Sequence, residues 1–124
     1  MDIETIGLGI DLIEYESFEG AQDDTLFLKK VFTTEEVSYC RTKSNTLPYL
    51  AARFATKEAV IKALGQLDED IFYSQIEIVK RVNGSIKVVL KDHPHIQVKV
   101  SLSHGKRSAV ATALASRTWL IDER

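Results

Sequence analysis

Near the start of the chain, apolar and polar positions alternate with a period of two, which predicts a β-strand over residues 6–13. One face of this strand carries the larger apolar side chains, Ile6, Leu8, Ile10 and Leu12. The opposite face carries Asp11 beside Gly7 and Gly9. Strand glycines leave the backbone uncovered, which would let a ligand or another chain approach the Asp11 carboxylate. A β-bulge or a strand edge is the more common reason for such glycines, and this feature alone favours it.

Helical signals occupy the next part of the chain. Residues 14–28 are acidic and only loosely periodic, so we expect a loop there with a short helix that ends near Lys29. Thr33 and Glu36 have the spacing of a capping box, which predicts a helix of about ten residues that runs through Arg41.

A longer helix is predicted between Pro48 and Gly65, after a polar loop over residues 42–46. Proline is tolerated in a first helical turn, where its missing N–H loses no hydrogen bond, and glycine commonly ends a helix. Between these two residues lie five alanines and several large apolar side chains. This segment is therefore the strongest helical prediction in the chain.

The later part of the chain returns to a period of two. Residues 76–82 and 86–90 flank Asn83-Gly84, which is typical of a two-residue type I′ hairpin turn with positive φ at both positions. A third strand spans residues 96–103, with an inward face formed by Ile96, Val98, Val100 and Leu102. Residues 108–115 predict a fourth strand lined by alanine, although this composition leaves a helix possible. The order of elements predicts an α+β fold, in which the long helix packs on an antiparallel sheet.

Length and composition exclude several classes of protein. We expect a single domain over residues 1–124, since 124 residues is an ordinary domain size. With 44% apolar and 27% charged residues the chain resembles folded globular proteins, and no apolar run approaches the roughly 20 residues that span a bilayer. The segment Met1–Glu4 lacks the basic flank of a secretory signal, so cytoplasmic residence without membrane attachment is expected. Cys40 is the single cysteine and is expected to be reduced and partly buried.

The net charge of −2 conceals an asymmetry along the chain. Residues 1–24 contain eight acidic residues and no Lys or Arg, whereas residues 25–124 contain ten acidic and sixteen basic residues. These segments therefore carry −8 and +6, so an anionic ligand such as a nucleotide is expected on the later part of the chain. The basic residues are too few and scattered to indicate nucleic-acid binding.

Two residues of the long helix, Glu58 and Lys62, are candidates for chemistry. At about 100° per residue they lie about 40° and 80° around the helix from Phe54, so both border its apolar stripe. A ligand at that border would contact both side chains. The ordinary alternative, which this feature alone favours, is an i, i+4 Glu–Lys pair worth about 0.3 kcal/mol.

A second candidate is the polar segment Ser101–Arg107, which combines two serines, His104 and two cations. Hydroxyls and backbone amides donate hydrogen bonds to phosphate groups, and cations compensate their charge. His104 could equally be a general base or a surface histidine. A Ser-His-acid triad and a zinc site are disfavoured, because the sequence shows neither a nucleophile elbow nor zinc-ligand spacing.

Asp11, Glu58 and Lys62 together suit a magnesium ion bound to a diphosphate. In such sites the protein supplies one or two carboxylates, and the substrate phosphates and water complete the coordination.

These residues, in this order, resemble the 4′-phosphopantetheinyl transferases of the short holo-acyl carrier protein synthase type. The matching stretches are residues 7–14 (GLGIDLIE), 51–59 (AARFATKEA), 62–65 (KALG) and 101–104 (SLSH). Weaker similarity, around residues 32–36 and the Asn83-Gly84 hairpin, extends the match over nearly the whole chain. Several ordered motifs make a more specific signal than any one of them.

The resemblance implies an enzyme that transfers the phosphopantetheine arm of coenzyme A to a serine of an apo acyl carrier protein, as in fatty acid biosynthesis, with release of adenosine 3′,5′-bisphosphate. It implies that Asp11 and Glu58 bind Mg²⁺ and that Lys62 neutralises charge on the transferring phosphoryl group. The proton of the attacking serine would pass to Glu58 or to a water molecule at the metal.

The resemblance also assigns residues to the nucleotide end of coenzyme A. Its 3′-phosphate would lie against Arg53 and His104, in a site shaped by Ser103 and Gly65. Family members are trimeric, so the resemblance implies a homotrimer with the coenzyme A cleft between adjacent subunits.

One stretch departs from the family pattern. Family members usually carry basic residues after the first motif, where an acidic carrier protein docks, whereas residues 15–19 here read YESFE. Like charges slow the encounter of two proteins. We therefore expect an unusual carrier, or docking through residues such as Lys29, Lys30 and Arg41.

Two other functions remain open at this point. The acidic stretch is compatible with a non-catalytic homologue that binds coenzyme A or a carrier protein without turnover. A magnesium-dependent nucleotide hydrolase would use the same metal site but would need a positioned water molecule.

Overall fold

The computed structural model describes residues 5–118. Strand β1 (Ile6–Glu14) leads into four helices, α1 (Tyr15–Phe18), α2 (Thr25–Val31), α3 (Thr34–Arg41) and α4 (Thr46–Gly65). Two short 3₁₀ helices, Glu19–Asp23 and Tyr73–Gln75, precede α2 and the second strand. The remaining strands are β2 (Ile76–Lys80), β3 (Ile86–Leu90), β4 (Ile96–His104) and β5 (Ser108–Arg117). The α+β class and antiparallel strands are as predicted, and residues 108–115 form a strand, not a helix.

The strands form two antiparallel sheets. In the larger one β5 lies between β1 and β4, and its continuous register places Asp11 opposite Ala111 and His104 opposite Ala109. The β2–β3 hairpin forms a separate two-stranded sheet. Within residues 5–118 no strand pairing joins the two sheets, so the single predicted sheet is divided.

Helix α4 packs on the larger sheet through small residues. The alanines of β5 alternate inward and are almost fully buried, namely Ala109, Ala111, Ala113 and Ala115. A Cβ atom added to Gly7 or Gly9 would lie 1.9 Å from the carbonyl oxygen of Ala63 or Ala59, both on α4. The strand glycines therefore mark no bulge, although β1 is an edge strand as the alternative expected, and they allow the α4 backbone to approach β1.

The larger apolar side chains of β1 face outward. Leu8, Ile10 and Leu12 are 60–65% exposed, and Leu114 on the neighbouring strand β5 is 43% exposed. We call these four residues the β1 apolar face. The alternation in the sequence identified the two faces of the strand correctly, but the face that meets the core is the one with glycines.

Residues 14–28 are more helical than the sequence indicated. The expected loop contains α1, a 3₁₀ helix and the start of α2, which ends at Val31, two residues after the expected end near Lys29. Asp24 caps α2 by accepting a hydrogen bond from the Phe27 N–H. Tyr15 and Phe18 are buried, so tertiary packing of aromatic side chains stabilises helices that the weak local pattern did not predict.

The β2–β3 turn also differs from its prediction. Gly84 has φ of 91°, but Asn83 does not have positive φ, so the turn is not type I′. The Gly84 N–H donates to the Arg81 carbonyl and the Arg81 N–H donates to the Ser85 carbonyl, which makes a three-residue loop with glycine in the left-handed position. Strand β2 accordingly ends at Lys80 and not at residue 82.

Several other predictions are confirmed or sharpened. Thr33 and Glu36 form the reciprocal capping box, and α3 ends at Arg41 after eight residues. Cys40 is a free thiol that is fully buried, where partial burial was expected. Among the described residues, no helix is long and apolar enough to cross a membrane.

Candidate functional site

The Asp11 carboxylate lies on the inner face of β1, the face that packs against α4. Lys62 on α4 brings its Nζ atom to 3.1 Å from Asp11 Oδ1 and donates a second hydrogen bond of 3.0 Å to the Ile10 carbonyl. The sequence offered Glu58 as the ordinary partner of Lys62, but no ion pair joins those two side chains within residues 5–118. Lys62 instead joins α4 to the strand that carries Asp11.

Glu58 lies one helical turn before Lys62, and its Oε2 atom accepts a hydrogen bond from the Tyr73 hydroxyl. Burial of Tyr73, the hydrogen bond to Glu58 and the negative charges of Glu58 and Asp11 raise the pKa of Tyr73 to about 12. Lys62 contacts Asp11 and lies one turn of α4 after Glu58, so the two carboxylates are on the same side of the helix. We call Asp11, Glu58, Lys62 and Tyr73 the acidic cluster.

Arg53 lies on a different side of α4 from Glu58 and Lys62. It is 4% exposed, its guanidinium lies 4.6 Å from the centroid of the Tyr39 ring, and its Nε atom has no hydrogen-bond partner among residues 5–118. The Nζ atoms of Lys43 and Lys80 lie 4.9 and 5.9 Å from the same ring centroid. Three cations thus surround one tyrosine, and among the described residues no carboxylate forms an ion pair with any of them.

The positive charges of these lysines lower the pKa of Tyr39. Its burial acts to raise the pKa, but the nearby Lys80 and Lys43 ammonium groups outweigh burial, so the pKa of Tyr39 lies below its ordinary value. We call Tyr39, Lys43, Arg53 and Lys80 the basic cluster. Its excess of positive charge is suited to a multiply charged anion.

The basic cluster borders a cavity of about 970 Å³ that also extends along β3 and β4. His104 lies at the end of β4 and lines this cavity, with its ring centroid 5.4 Å from that of Tyr49. Ser103, the preceding residue, is exposed. The predicted grouping of Arg53 with His104 is therefore present in the structure.

Within the described residues of one chain, the acidic and basic clusters lie on different sides of α4. Around α4, Glu58 and Lys62 lie about 140° and about 180° from Arg53, so the helix directs them to different sides. In the part of the chain that the structure describes, the cavity is lined by Arg53 and His104 but not by Asp11, Glu58 or Lys62. Gly65 lies exposed at the end of α4, on the turn after Lys62.

Three residues of these clusters were not found from the sequence. Tyr73, Tyr39 and Lys80 come from a short 3₁₀ helix, α3 and β2, and each is at least 14 positions from both Glu58 and Arg53. No local spacing connects them to Glu58 or Arg53, since only the packing of separate elements on α4 brings them together.

The acidic cluster fits a magnesium ion in one respect. It offers two carboxylates, the number that such an ion commonly takes from a protein when substrate phosphates supply further oxygen ligands. No group of three or more His, Cys, Asp or Glu residues within the described range is arranged to hold a metal by itself. A metal here would therefore depend on a phosphate-bearing substrate.

Comparison with known proteins defines the class. A family model of the 4′-phosphopantetheinyl transferase superfamily matches residues 7–115. The chain therefore belongs to the 4′-phosphopantetheinyl transferase superfamily, which confirms the resemblance seen in the sequence.

Its relatives within the superfamily are more specific. The holo-[acyl-carrier-protein] synthase of Chlorobium phaeovibrioides is 36% identical over 114 residues, which cover 86% of this chain and 91% of that protein. The synthase of Caldicellulosiruptor saccharolyticus is 37% identical over 119 residues, which cover 89% and 95% of the two chains.

Solved structures agree in fold. The holo-(acyl-carrier-protein) synthase of Bacillus anthracis in complex with CoA (3′,5′-ADP) aligns with a TM-score of 0.77 and 26% identity, and covers 90% of this chain and 96% of that one. The Helicobacter pylori enzyme in complex with coenzyme A gives a TM-score of 0.75 and 27% identity, with coverage of 88% and 99%.

Proposed function

We propose that this protein is a holo-[acyl-carrier-protein] synthase, which transfers 4′-phosphopantetheine from coenzyme A to a serine of an apo acyl carrier protein. The observation that carries the proposal is the Asp11–Lys62 ion pair, one turn of α4 from Glu58, in a chain that aligns over most of its length with such synthases. Residues 1–124 would constitute one transferase domain. A cytoplasmic location fits its free Cys40 thiol.

The proposed reaction is a phosphoryl transfer. The serine oxygen of the carrier attacks the phosphorus that bears pantetheine, a new P–O bond forms, and the bond to the second phosphate of coenzyme A breaks. Adenosine 3′,5′-bisphosphate leaves with the bonding electron pair. Such reactions depend mainly on positioning and on neutralisation of charge.

Residues of the acidic cluster would serve this step directly. Asp11 and Glu58 would hold Mg²⁺, which when bound neutralises the diphosphate and orients it. Lys62, whose side chain is 54% exposed, can turn from Asp11 toward the transferring phosphoryl group. The serine proton would pass to Glu58 or to a water molecule beside it.

The basic cluster would bind the other end of coenzyme A. Within residues 5–118, Arg53 has an unpartnered Nε atom and no carboxylate partner, and His104 lines the same cavity. A 3′-phosphate would supply the missing negative charge and hydrogen-bond acceptors. Ser103, exposed beside His104, would shape the edge of this site. Gly65 lies twelve residues after Arg53, at the end of α4, and would contribute only from a neighbouring subunit.

We further propose a homotrimer in which the acidic cluster of one subunit faces the basic cluster of the next. Two observations support it: the clusters lie on different sides of α4, and the β1 apolar face is exposed on the outer side of the strand that carries Asp11. Exposed contiguous apolar surface commonly marks a protein interface. In such a ring each coenzyme A molecule would span two subunits.

The place where the carrier protein docks is predicted from the exposed charged residues alone. Glu16 and Glu19 are exposed near the end of β1, so an acidic carrier would meet like charges there. Lys29, Lys30 and Arg41 are also exposed and available to an acidic partner.

Mass spectrometry tests the activity. With coenzyme A and Mg²⁺, the protein should add one phosphopantetheine to at least one of several apo carrier proteins. Asp11→Asn and Glu58→Gln should each slow transfer by at least about 100-fold, because each removes charge from the reacting centre. Glu35→Gln, which removes an exposed carboxylate of α3, is the matched control and should retain the rate.

Other outcomes would favour the alternatives. Coenzyme A binding without modification of any carrier would indicate a non-catalytic homologue, and breakdown of coenzyme A without a carrier would indicate a hydrolase. Full turnover by Glu58→Gln would remove Glu58 from the proposed mechanism.

A further inference from the structure

Tyr73 belongs to the acidic cluster, but no sequence motif includes it and the proposed reaction gives it no role. Its hydroxyl donates a hydrogen bond to Glu58 Oε2, and its ring stacks on Phe54 with centroids 5.8 Å apart and an interplanar angle of 22°. Phe54 and Glu58 are one turn apart on α4. The same helix face therefore supports the ring of Tyr73 and receives its hydroxyl hydrogen bond.

The backbone of Tyr73 is fixed from the same helix. Lys57 Nζ donates a hydrogen bond of 3.0 Å to the Tyr73 carbonyl and one of 2.7 Å to the Val31 carbonyl. It also forms a fully buried ion pair of 2.8 Å with Glu36 Oε1. Lys57 thus has three fixed partners, and Tyr73 is held both at its backbone and at its hydroxyl.

The position of Glu58 depends on this arrangement. Glu58 is only partly buried, and no other side chain forms a hydrogen bond with its carboxylate within residues 5–118. A free glutamate samples several side-chain rotamers, and fixing one has an entropic cost. The hydroxyl of Tyr73 fixes Oε2 and leaves Oε1 available.

We propose that Tyr73 is a positioning residue, which holds Glu58 in the orientation that lets its free oxygen share a divalent cation with Asp11. The proposal rests on the proposed function, since it assumes that these two carboxylates bind the metal of the transfer reaction. Hydrogen-bond partners of metal ligands orient the ligands, and their loss typically weakens metal binding by about 10- to 100-fold.

Direct binding of Mn²⁺, followed by electron paramagnetic resonance in the presence of coenzyme A, tests this role without turnover. Tyr73→Phe keeps the ring but removes the hydroxyl, and should weaken Mn²⁺ binding by about tenfold or more. Tyr15→Phe is the matched control. It removes the hydroxyl of another tyrosine, one that donates to the Gly105 carbonyl, and should leave Mn²⁺ affinity unchanged.

The Mg²⁺ dependence of transfer separates positioning from damage to the fold. In Tyr73→Phe, saturating Mg²⁺ should restore most of the turnover, while the KM for the carrier stays near the wild-type value. Unchanged Mn²⁺ affinity, or a rate deficit that persists at all Mg²⁺ concentrations, would overturn the proposal. Failure of the wild-type protein to bind Mn²⁺ with coenzyme A would instead refute the metal site of the proposed function.

Discussion

Cys40 is fully buried on α3, and this burial is the main cause that raises the pKa of its thiol to about 11. The nearby Glu36 charge acts in the same direction, whereas the Arg53 charge opposes it. The folded protein therefore keeps the thiol neutral over a pH range in which the unfolded chain ionises it.

The sign of the resulting pH dependence follows from proton binding. Between pH 9 and pH 11 the unfolded chain loses the Cys40 proton and the folded protein retains it, so stability falls as pH rises. This loss should amount to on the order of 2 kcal/mol, since each pKa unit corresponds to about 1.4 kcal/mol.

Urea unfolding of the wild type and of Cys40→Ala under reducing conditions would measure this contribution. The variant lacks the thiol but keeps the other titrating groups, so the difference in unfolding free energy between the two proteins should change from pH 9 to pH 11. A constant difference across that range would contradict the assignment.

The ion-pair partner of Lys62 could not be predicted from spacing along the chain. The i, i+4 spacing predicted a pair with Glu58, and helix geometry permits one. The lysine instead contacts Asp11, which is 51 positions away in the sequence, because β1 packs against this side of α4. Local spacing located the residue near an apolar boundary but could not identify its partner.

At the scale of elements, the approach of β1 to α4 depends on two glycines. The Cβ of an alanine at position 9 would lie 1.9 Å from the Ala59 carbonyl oxygen and 2.9 Å from the Ala63 amide nitrogen. Both contacts are to backbone atoms, so no side-chain rotation relieves them. The strand and the helix would have to separate.

We therefore expect Gly9→Ala to destabilise the protein by about 3 kcal/mol, at the upper end of typical overpacking effects. Gly20→Ala is the matched control, because no atom lies within 4 Å of its added Cβ. Thermal unfolding of both variants measures the difference. Equal melting temperatures for Gly9→Ala and the wild type would show that β1 and α4 are not so closely packed.

At the scale of the whole molecule, the separation of the acidic and basic clusters leads to a test by subunit complementation. Asp11→Asn impairs the acidic cluster and Arg53→Gln the basic cluster, so each variant alone should have little transfer activity. In a ring of randomly mixed subunits, about one in four adjacent pairs joins an intact acidic cluster to an intact basic one. Mixing and reassembly should therefore recover about a quarter of the wild-type rate.

The β1 apolar face provides the control for this experiment. Ile10→Glu introduced into both variants should abolish the recovery, since it places a charge in the proposed interface. Val82→Glu changes an apolar residue that is fully exposed at the tip of the β2–β3 hairpin, and recovery should persist. Absence of recovery in the parent mixture, with each variant folded, would indicate that one chain contains the whole site.

The sequence by itself determined the structural features that depend on residues close together in the chain. The capping box of Thr33 and Glu36, the alternation in β4 and the alanine-rich α4 follow from local hydrogen bonding and periodicity, and they were predicted correctly. The motifs around Asp11, Glu58 and His104 also indicated the family, because their order along the chain can be read without a structure.

The tertiary structure decided which contacts form between residues that are distant in the chain. It showed that Gly7 and Gly9 meet α4, that Tyr73 contacts Glu58, and that Arg53 points away from the acidic cluster. These contacts join elements separated by tens of residues, and their geometry is set by the packing of strand and helix backbones. Side-chain chemistry gave the components of the site, whereas backbone packing determined which of them come together.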